Sequence, residues 1–385
     1  MLKSAVRKIP APSYLIFFAI ILLLPLFVTD AFWLNRLSQY LTYGMLAAAL
    51  SLCWGYCGIL SLGHAAFFGL GAYCMAMSLK LLSPTSLGQG TDFPLPDFMV
   101  WNTLAGQELT LPLLWVPFQN QWFGLFAALI VPLTLAILLG LFIFYGNISG
   151  VFVSIVTLSL VVILNLIIVD QQPLTNGFNG ITDLAYFTVG NFEFDPYSWT
   201  TYLLTAVSLI AMMLLLKAVV ETKTGLLFRA IQADETRVKY FGYNIANYKL
   251  FAFSLSALVA GLAGALFTIS SQFASPALLE IGFSISIIIW TAVGGRASLL
   301  GSAIGAIAIN LLQSLLSESE TLINVWLLII GSVFILVILV LPNGLTDIIP
   351  TLSARFFPKS YSTMPSSPEG KEVSEAPLVS MRTKD

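Results

Sequence analysis

Charge is what this chain has least of: 9% of its 385 residues are Asp, Glu, Lys or Arg, against about 25% in ordinary soluble domains. Hydrophobic residues make up 58%, against roughly 45–50%, and the mean hydropathy is +0.90, so the bilayer rather than water must be the main solvent. The short alternating segments of a membrane β-barrel are missing, which leaves an all-α polytopic bundle whose helices satisfy their own backbone hydrogen bonds in lipid. His64 is the one histidine and no cluster of acids accompanies it, so the sequence offers no metal site and no acid/base pair, and no catalytic residue is assigned. The three cysteines, Cys53, Cys57 and Cys74, sit among apolar residues and read as small buried hydrophobes. No G-x-x-x-x-G-K-[ST] phosphate loop occurs, so the chain does not bind ATP in the P-loop manner and no cofactor is assigned to it. The intramembrane carboxylates of an ion-coupled carrier are nearly absent too: Asp170 lies at the end of an apolar run, Glu280 just before one, and Lys80 is expected to snorkel.

Apolar runs of spanning length fall near residues 13–29, 37–54, 59–81, 122–144, 151–170, 199–219, 250–271, 282–295, 299–317 and 322–341, about ten in all. Only Gly55 to Gly58 separates the second from the third, and the eighth is short, so either could be a broken or re-entrant helix. Lys3, Arg7 and Lys8 before the first run resemble a signal peptide. With no small-residue cleavage site and further spans following, it reads as an uncleaved helix. No Lys or Arg occurs between Lys80 and Lys217, whereas six of the 17 basic residues lie from Lys217 to Lys249, five follow Pro350 and three precede the first run. The positive-inside rule then puts both termini and the charged loop in the cytoplasm, and ten spans reproduce that pattern by alternation. The expected organisation is a cytoplasmic N-terminus at 1–12, a transmembrane region at 13–345 and a disordered, Ser- and Pro-rich cytoplasmic tail at 346–385. Within the membrane region, 83–121 and 171–198 are outer loops and 221–249 is the cytoplasmic loop. Pro94, Pro96, Pro112 and Pro117 among aromatics make the first outer loop read as a packed cap that could receive a delivery protein.

Gly58 through Tyr73 is dense in small residues, which suit either close helix packing or irregular backbone lining a cavity. His64 within it could donate to a substrate carbonyl or be held by a neighbouring backbone group. Gly301 and Gly305, and the ridge of Ala257, Gly261 and Ala265, read as helix contacts. In the charged loop, Thr224 and Gly225 open a short helix reaching Gln232. Asp234 can N-cap a second helix from Glu235 to Phe241, and Gly242 suits a left-handed C-terminal cap. Val238 and Phe241 are expected on one face, with Arg229, Arg237 and Lys239 supplying charge, as in an element seated in a partner's groove; the alternative is a solvated loop. Asn165 is a polar residue within a span, suited to lining a path or to interhelical bonding.

These residues resemble the permeases of branched-chain amino acid type ABC importers, and within them the second permease subunit of urea importers. The resemblance rests on Gly58 through Tyr73, Tyr248 through Phe267, Trp290-Thr-Ala-Val-Gly-Gly-Arg296 with Gly301 and Gly305, and Leu341-Pro-Asn-Gly-Leu345. It implies that Gly225, Arg229, Asp234, Glu235, Arg237 and Gly242 belong to the loop that couples to the ATPase. The family's Asp-Glu-x-Ala-Ala core appears here as Asp234-Glu-Thr-Arg-Val238, a departure similar to the urea branch, as are Leu95-Pro-Asp-Phe-Met-Val100 and the pairing of Phe241-Gly-Tyr243 with Tyr248-Lys-Leu-Phe251. Urea import is therefore implied, the alternatives being a branched-chain amino acid or short amide importer, or a passive channel or secondary transporter. Urea is neutral and polar and needs amide or hydroxyl partners rather than a counter-charge. Thr175, Asn176 and Asn179 of the T-x-G-x-x-G-like segment Thr175 to Ile181 offer such groups, unless the segment is simply a glycine-rich turn. The implied partners are a homologous second permease, two ATP-binding subunits holding ATP and Mg, a periplasmic substrate-binding protein and membrane lipid, with no nucleic acid. The implied location is the bacterial inner membrane.

Overall fold

The computed structural model of the chain describes residues 12–83, 95–102 and 110–318, with the single positions Leu328, Gly331, Ser332, Ile335 and Gly344 beyond them. Most of the expected tenth span, most of the N-terminal segment and the tail lie outside the described residues, which all belong to one unit, Met1–Asp347. Helix α1 (Pro12–Leu23) tightens into a 3-10 turn, Leu24–Leu26, at Pro25, whose ring cannot continue an α-helix. Helix α2 (Ala31–Ser51) starts six residues before the apolar run because the Asp30 carboxylate accepts from Phe32 N at 2.9 Å and caps it. It continues as a π-helical turn, Leu52–Tyr56. Helix α3 (His64–Leu81) starts five residues late. Gly58 turns left-handed at φ +76°, and the next residues are held off helix by a distant segment: Ser154 Oγ donates to Leu60 O (2.7 Å) and Leu62 N to Thr157 Oγ1 (3.0 Å).

Then follow α4 (Asp97–Asn102), α5 (Gln121–Gly140) running into a second π-helical turn at Leu141–Tyr145, α6 (Val151–Asp170) and α7 (Gln172–Thr175). A two-stranded antiparallel hairpin, β1 (Phe187–Val189) and β2 (Phe192–Phe194), precedes α8 (Trp199–Val220). The chain continues through α9 (Lys223–Ala233), α10 (Glu235–Tyr240), α11 (Ile245–Ser271), α12 (Ile281–Gly294) and α13 (Leu299–Ser317). Among the described residues five helices are long and apolar enough to cross a membrane: Gln121–Tyr145, Val151–Asp170, Trp199–Val220, Ile245–Ser271 and Leu299–Ser317. Pro12–Leu26 and Ile281–Gly294 are apolar but shorter, and at about 1.5 Å per residue α12 falls short of a hydrocarbon core of about 30 Å. Helices α2 and α3 are longer but more polar, carrying Asn35, Arg36, His64 and Lys80.

Helix α11 stands at the centre against α2, α3 and α5. Small residues bring the backbones together: a Cβ on Gly264 would lie 1.9 Å from Phe68 O, and one on Gly261 2.3 Å from Ala128 O. Gly294 meets Gly301 in the same way, at 2.1 Å, joining α12 to α13. Without a hydrophobic drive between helices in lipid, such close approach is what holds them. The two ends of the bundle differ in composition. At one, the end of α2 meets the loop after α12, Ser51 Oγ donating to Arg296 O (2.8 Å), and Tyr145 donates to Asn247 of α11. At the other, the loop before α8 meets the start of α5 and the end of α3, Thr188 N donating to Gln121 Oε1 (3.1 Å) and Ala185 N to Leu79 O (3.0 Å).

Candidate functional site

At the charged end, α8 hands over to α9 across a contact only glycine permits: a Cβ on Gly225 would lie 2.0 Å from Val220 O. Helix α9 turns Phe228 and Ile231, a stripe at i and i+3, into the bundle, Phe228 lying 6.3 Å from the ring of Phe251. The Arg229 guanidinium sits over the Tyr56 ring at 5.2 Å. Asp234 is extended and breaks the helix. Its carboxylate accepts from Arg237 N (3.1 Å), capping α10, and pairs with Arg237 Nε at 2.8 Å. Glu235 reaches back to α11, where Lys249 Nζ meets its carboxylate at 2.5 Å. Gly242 closes α10 at φ +83° with nothing within 4 Å of a Cβ, so backbone freedom alone calls for glycine there.

The charged loop is thus two helices clamped to the bundle, α9 beginning one residue earlier than the spacing predicts, at Lys223. Val238 and Phe241 share one face as expected and line a groove with Leu227, Ala230 and Tyr243. Val238, nearer the bundle, is buried at 5% exposure, while Phe241, its N–H still donating to Arg237 O (3.3 Å), is 80% exposed. Tyr240 and Leu226 point outward with it, at 86% and 69% exposure. A groove of about 800 Å³ runs beside α10, lined by Asn147, Thr236, Lys239, Tyr243 and Asn244 among others.

The expected path residues do not form one cluster. His64, the first residue of α3, is buried, its Nε2 3.1 Å from Ser256 Oγ on α11. That hydroxyl donates to Phe253 O (2.8 Å) and lies 2.9 Å from Cys53 Sγ, so Ser256 ties three elements together. Asn165 Nδ2 donates to Pro276 O (2.9 Å), an interhelical tie. Thr175, Asn176 and Asn179 lie in a turn that closes on itself. Thr175 Oγ1 is 2.6 Å from Ile168 O, Asn176 Nδ2 donates to Gly180 O (2.6 Å), and Asn179 is exposed. Ile181 and Ala274 then bridge this turn to the loop after α11.

Lys80 departs from expectation. Rather than snorkelling, it is 1% exposed and meets Asp97 Oδ1 of α4 at 2.9 Å. The three cysteines are free and buried, and no group of three or more His, Cys, Asp or Glu suited to a metal occurs among the described residues. Sequence reasoning passed over Ser256, Ser154, Thr157 and Asn35, whose side chains tie distant elements together; the signal was a polar residue inside an apolar run.

The family described as "Branched-chain amino acid transport system / permease component" matches residues 32–338. The high-affinity branched-chain amino acid transport system permease protein LivM of Escherichia coli (strain K12) is 23% identical over 325 residues, covering 79% of this chain and 67% of that protein. The probable branched-chain amino acid transport permease protein LivH of Methanocaldococcus jannaschii is 27% identical over 210 residues, 52% of this chain and 66% of its own. The ribose import permease protein RbsC of Haemophilus influenzae is 23% identical over 200 residues, 49% of this chain and 60% of its own. No solved structure matches the chain.

Proposed function

The chain belongs to the family of permease components of branched-chain amino acid transport systems, and from that premise we propose that it forms half of the path of an ATP-driven importer. ATP is hydrolysed in two partner subunits that seat on α9 and α10. The observation that carries this reading is a pair of helices fixed to the bundle yet presenting Leu226, Tyr240 and Phe241 outward, beside Arg237 and Lys239. Large apolar side chains set among charges in a water-facing layer are the usual anchors of a protein interface. Through the packing of Phe228 on Phe251 and the Glu235–Lys249 pair, a push on these helices passes to α11, the centre of the packing. A homologous second permease supplies the other half of the path, and a periplasmic substrate-binding protein delivers to the opposite end, in the bacterial inner membrane.

The substrate proposed first is a branched-chain amino acid or short amide, in keeping with the family and with the names of the LivM and LivH relatives. A second reading, urea, is favoured by Asp234-Glu-Thr-Arg-Val238 in place of the family's alanines. It is also favoured by the two buried lysines: Lys80 and Lys249 are both already paired, which suits a neutral solute better than a zwitterion. Labelled leucine and urea uptake in a deletion strain carrying the whole transporter, with and without the ATPase subunits, tests both. Leucine uptake that needs the ATPases supports the first reading and urea uptake the second. Uptake that persists without them overturns the importer.

A further inference from the structure

We propose that the β1–β2 hairpin is a membrane anchor that lays its apolar face into the headgroup layer of a lipid bilayer, beside the first turns of α5 and α8. The register pairs Phe187 with Phe194, Thr188 with Glu193 and Val189 with Phe192. Directly opposed residues share a face and neighbours alternate, so one face carries Phe187, Val189, Phe192 and Phe194 while the other carries Thr188 and Glu193. The base of the apolar face is packed within the chain. Phe187 is buried, with its ring 5.7 Å from Trp122 and 5.8 Å from Phe194. The tip of the same face is open: Phe192 is 74% exposed and Val189 39%.

What covers that tip follows from where the hairpin is tied. Gln121, the first residue of α5, bonds Thr188 twice, donating to its carbonyl at 2.5 Å and accepting from its N–H at 3.1 Å. The hairpin is therefore held at the level where α5 begins. Trp122 and, one turn on, Phe126 are exposed on α5, and Trp199 opens α8 at 60% exposure. Both helices are long and apolar enough to span a membrane, so their first residues stand where lipid tails meet headgroups, the depth that Trp favours. The open tip continues this surface, with Glu193 on the opposite face for water. No Lys or Arg lies between Lys80 and Lys217, so the contact is apolar and does not call for anionic lipid.

The test is nitroxide labelling of Val189→Cys, Phe192→Cys and Glu193→Cys, with the three buried native cysteines replaced by alanine, in the assembled transporter in phosphatidylcholine vesicles. Labels at 189 and 192 are expected to collide several-fold more with oxygen, which concentrates in lipid, than with a water-soluble nickel chelate, and the label at 193 to show the reverse. Preference for the nickel chelate at 192 overturns the proposal. So does shielding from both reagents, which would mean that a protein covers the tip. Phe192→Trp, read by its added quenching from brominated phosphatidylcholine, repeats the test without altering the cysteines; no added quenching counts equally against it.

Discussion

Lys80, with 1% of its side chain exposed, has the Asp97 carboxylate 2.9 Å away as its ion-pair partner. Removing one partner of a buried ion pair leaves the other uncompensated, at about 3–5 kcal/mol, whereas replacing both by apolar residues is close to neutral. Asp97→Asn should therefore lower the thermal midpoint of the purified protein sharply, and Lys80→Met with Asp97→Leu should restore most of it. Glycines at helix contacts make a second contrast. Gly264→Val drives a side chain into Phe68 O, which a Cβ alone would meet at 1.9 Å, and overpacking of that kind costs about 1–3 kcal/mol or more. Gly282→Ala meets nothing within 4 Å and should leave the midpoint unchanged or raise it by up to about 1 kcal/mol in stability. The packing role of Ala257, Gly261 and Ala265 was legible from their spacing. The Lys80 pair was not, since its partner comes from a loop whose return path no local pattern encodes.

Among the elements, α9 and α10 divide their residues between holding and presenting. Tyr240→Ala with Phe241→Ala removes presented side chains without touching Phe228, Ile231 or Val238. The double variant should still insert and fold but co-purify with at least tenfold less ATPase subunit, about 1.4 kcal/mol per tenfold in affinity; undiminished recovery would remove the docking role. Glu235→Gln acts differently. It weakens the clamp to Lys249, so it should reduce uptake per ATP hydrolysed while leaving recovery of the ATPase near normal. Capping chemistry made this loop readable, since Asp234 and Gly242 do what their residue types suggest. The shared face of Val238 and Phe241 was legible from their spacing, whereas how far each is covered depends on the packing of α10 against the bundle, which no local pattern encodes. The hairpin has a signal of its own in the alternation Phe-Thr-Val-Gly-Asn-Phe-Glu-Phe from Phe187 to Phe194, set in a segment otherwise read as an outer loop.

At the scale of the molecule, long apolar runs carried most of the fold: 151–170 and 199–219 became α6 and α8 almost unchanged, since composition and length alone decide them. The break at Gly58 to Gly63 depended on Ser154 and Thr157, far along the chain, and so its extent was hidden. One further consequence lies in the uneven placement of cations. Trypsin cuts after lysine and arginine. At the hairpin end it meets no cleavable bond between Lys80, itself buried, and Lys217. At the other end, Lys223, Arg229, Arg237 and Lys239 are all exposed. Sealed vesicles therefore carry a built-in record of which way the chain was inserted, readable from whether added protease severs it within α9 and α10 or leaves that region whole.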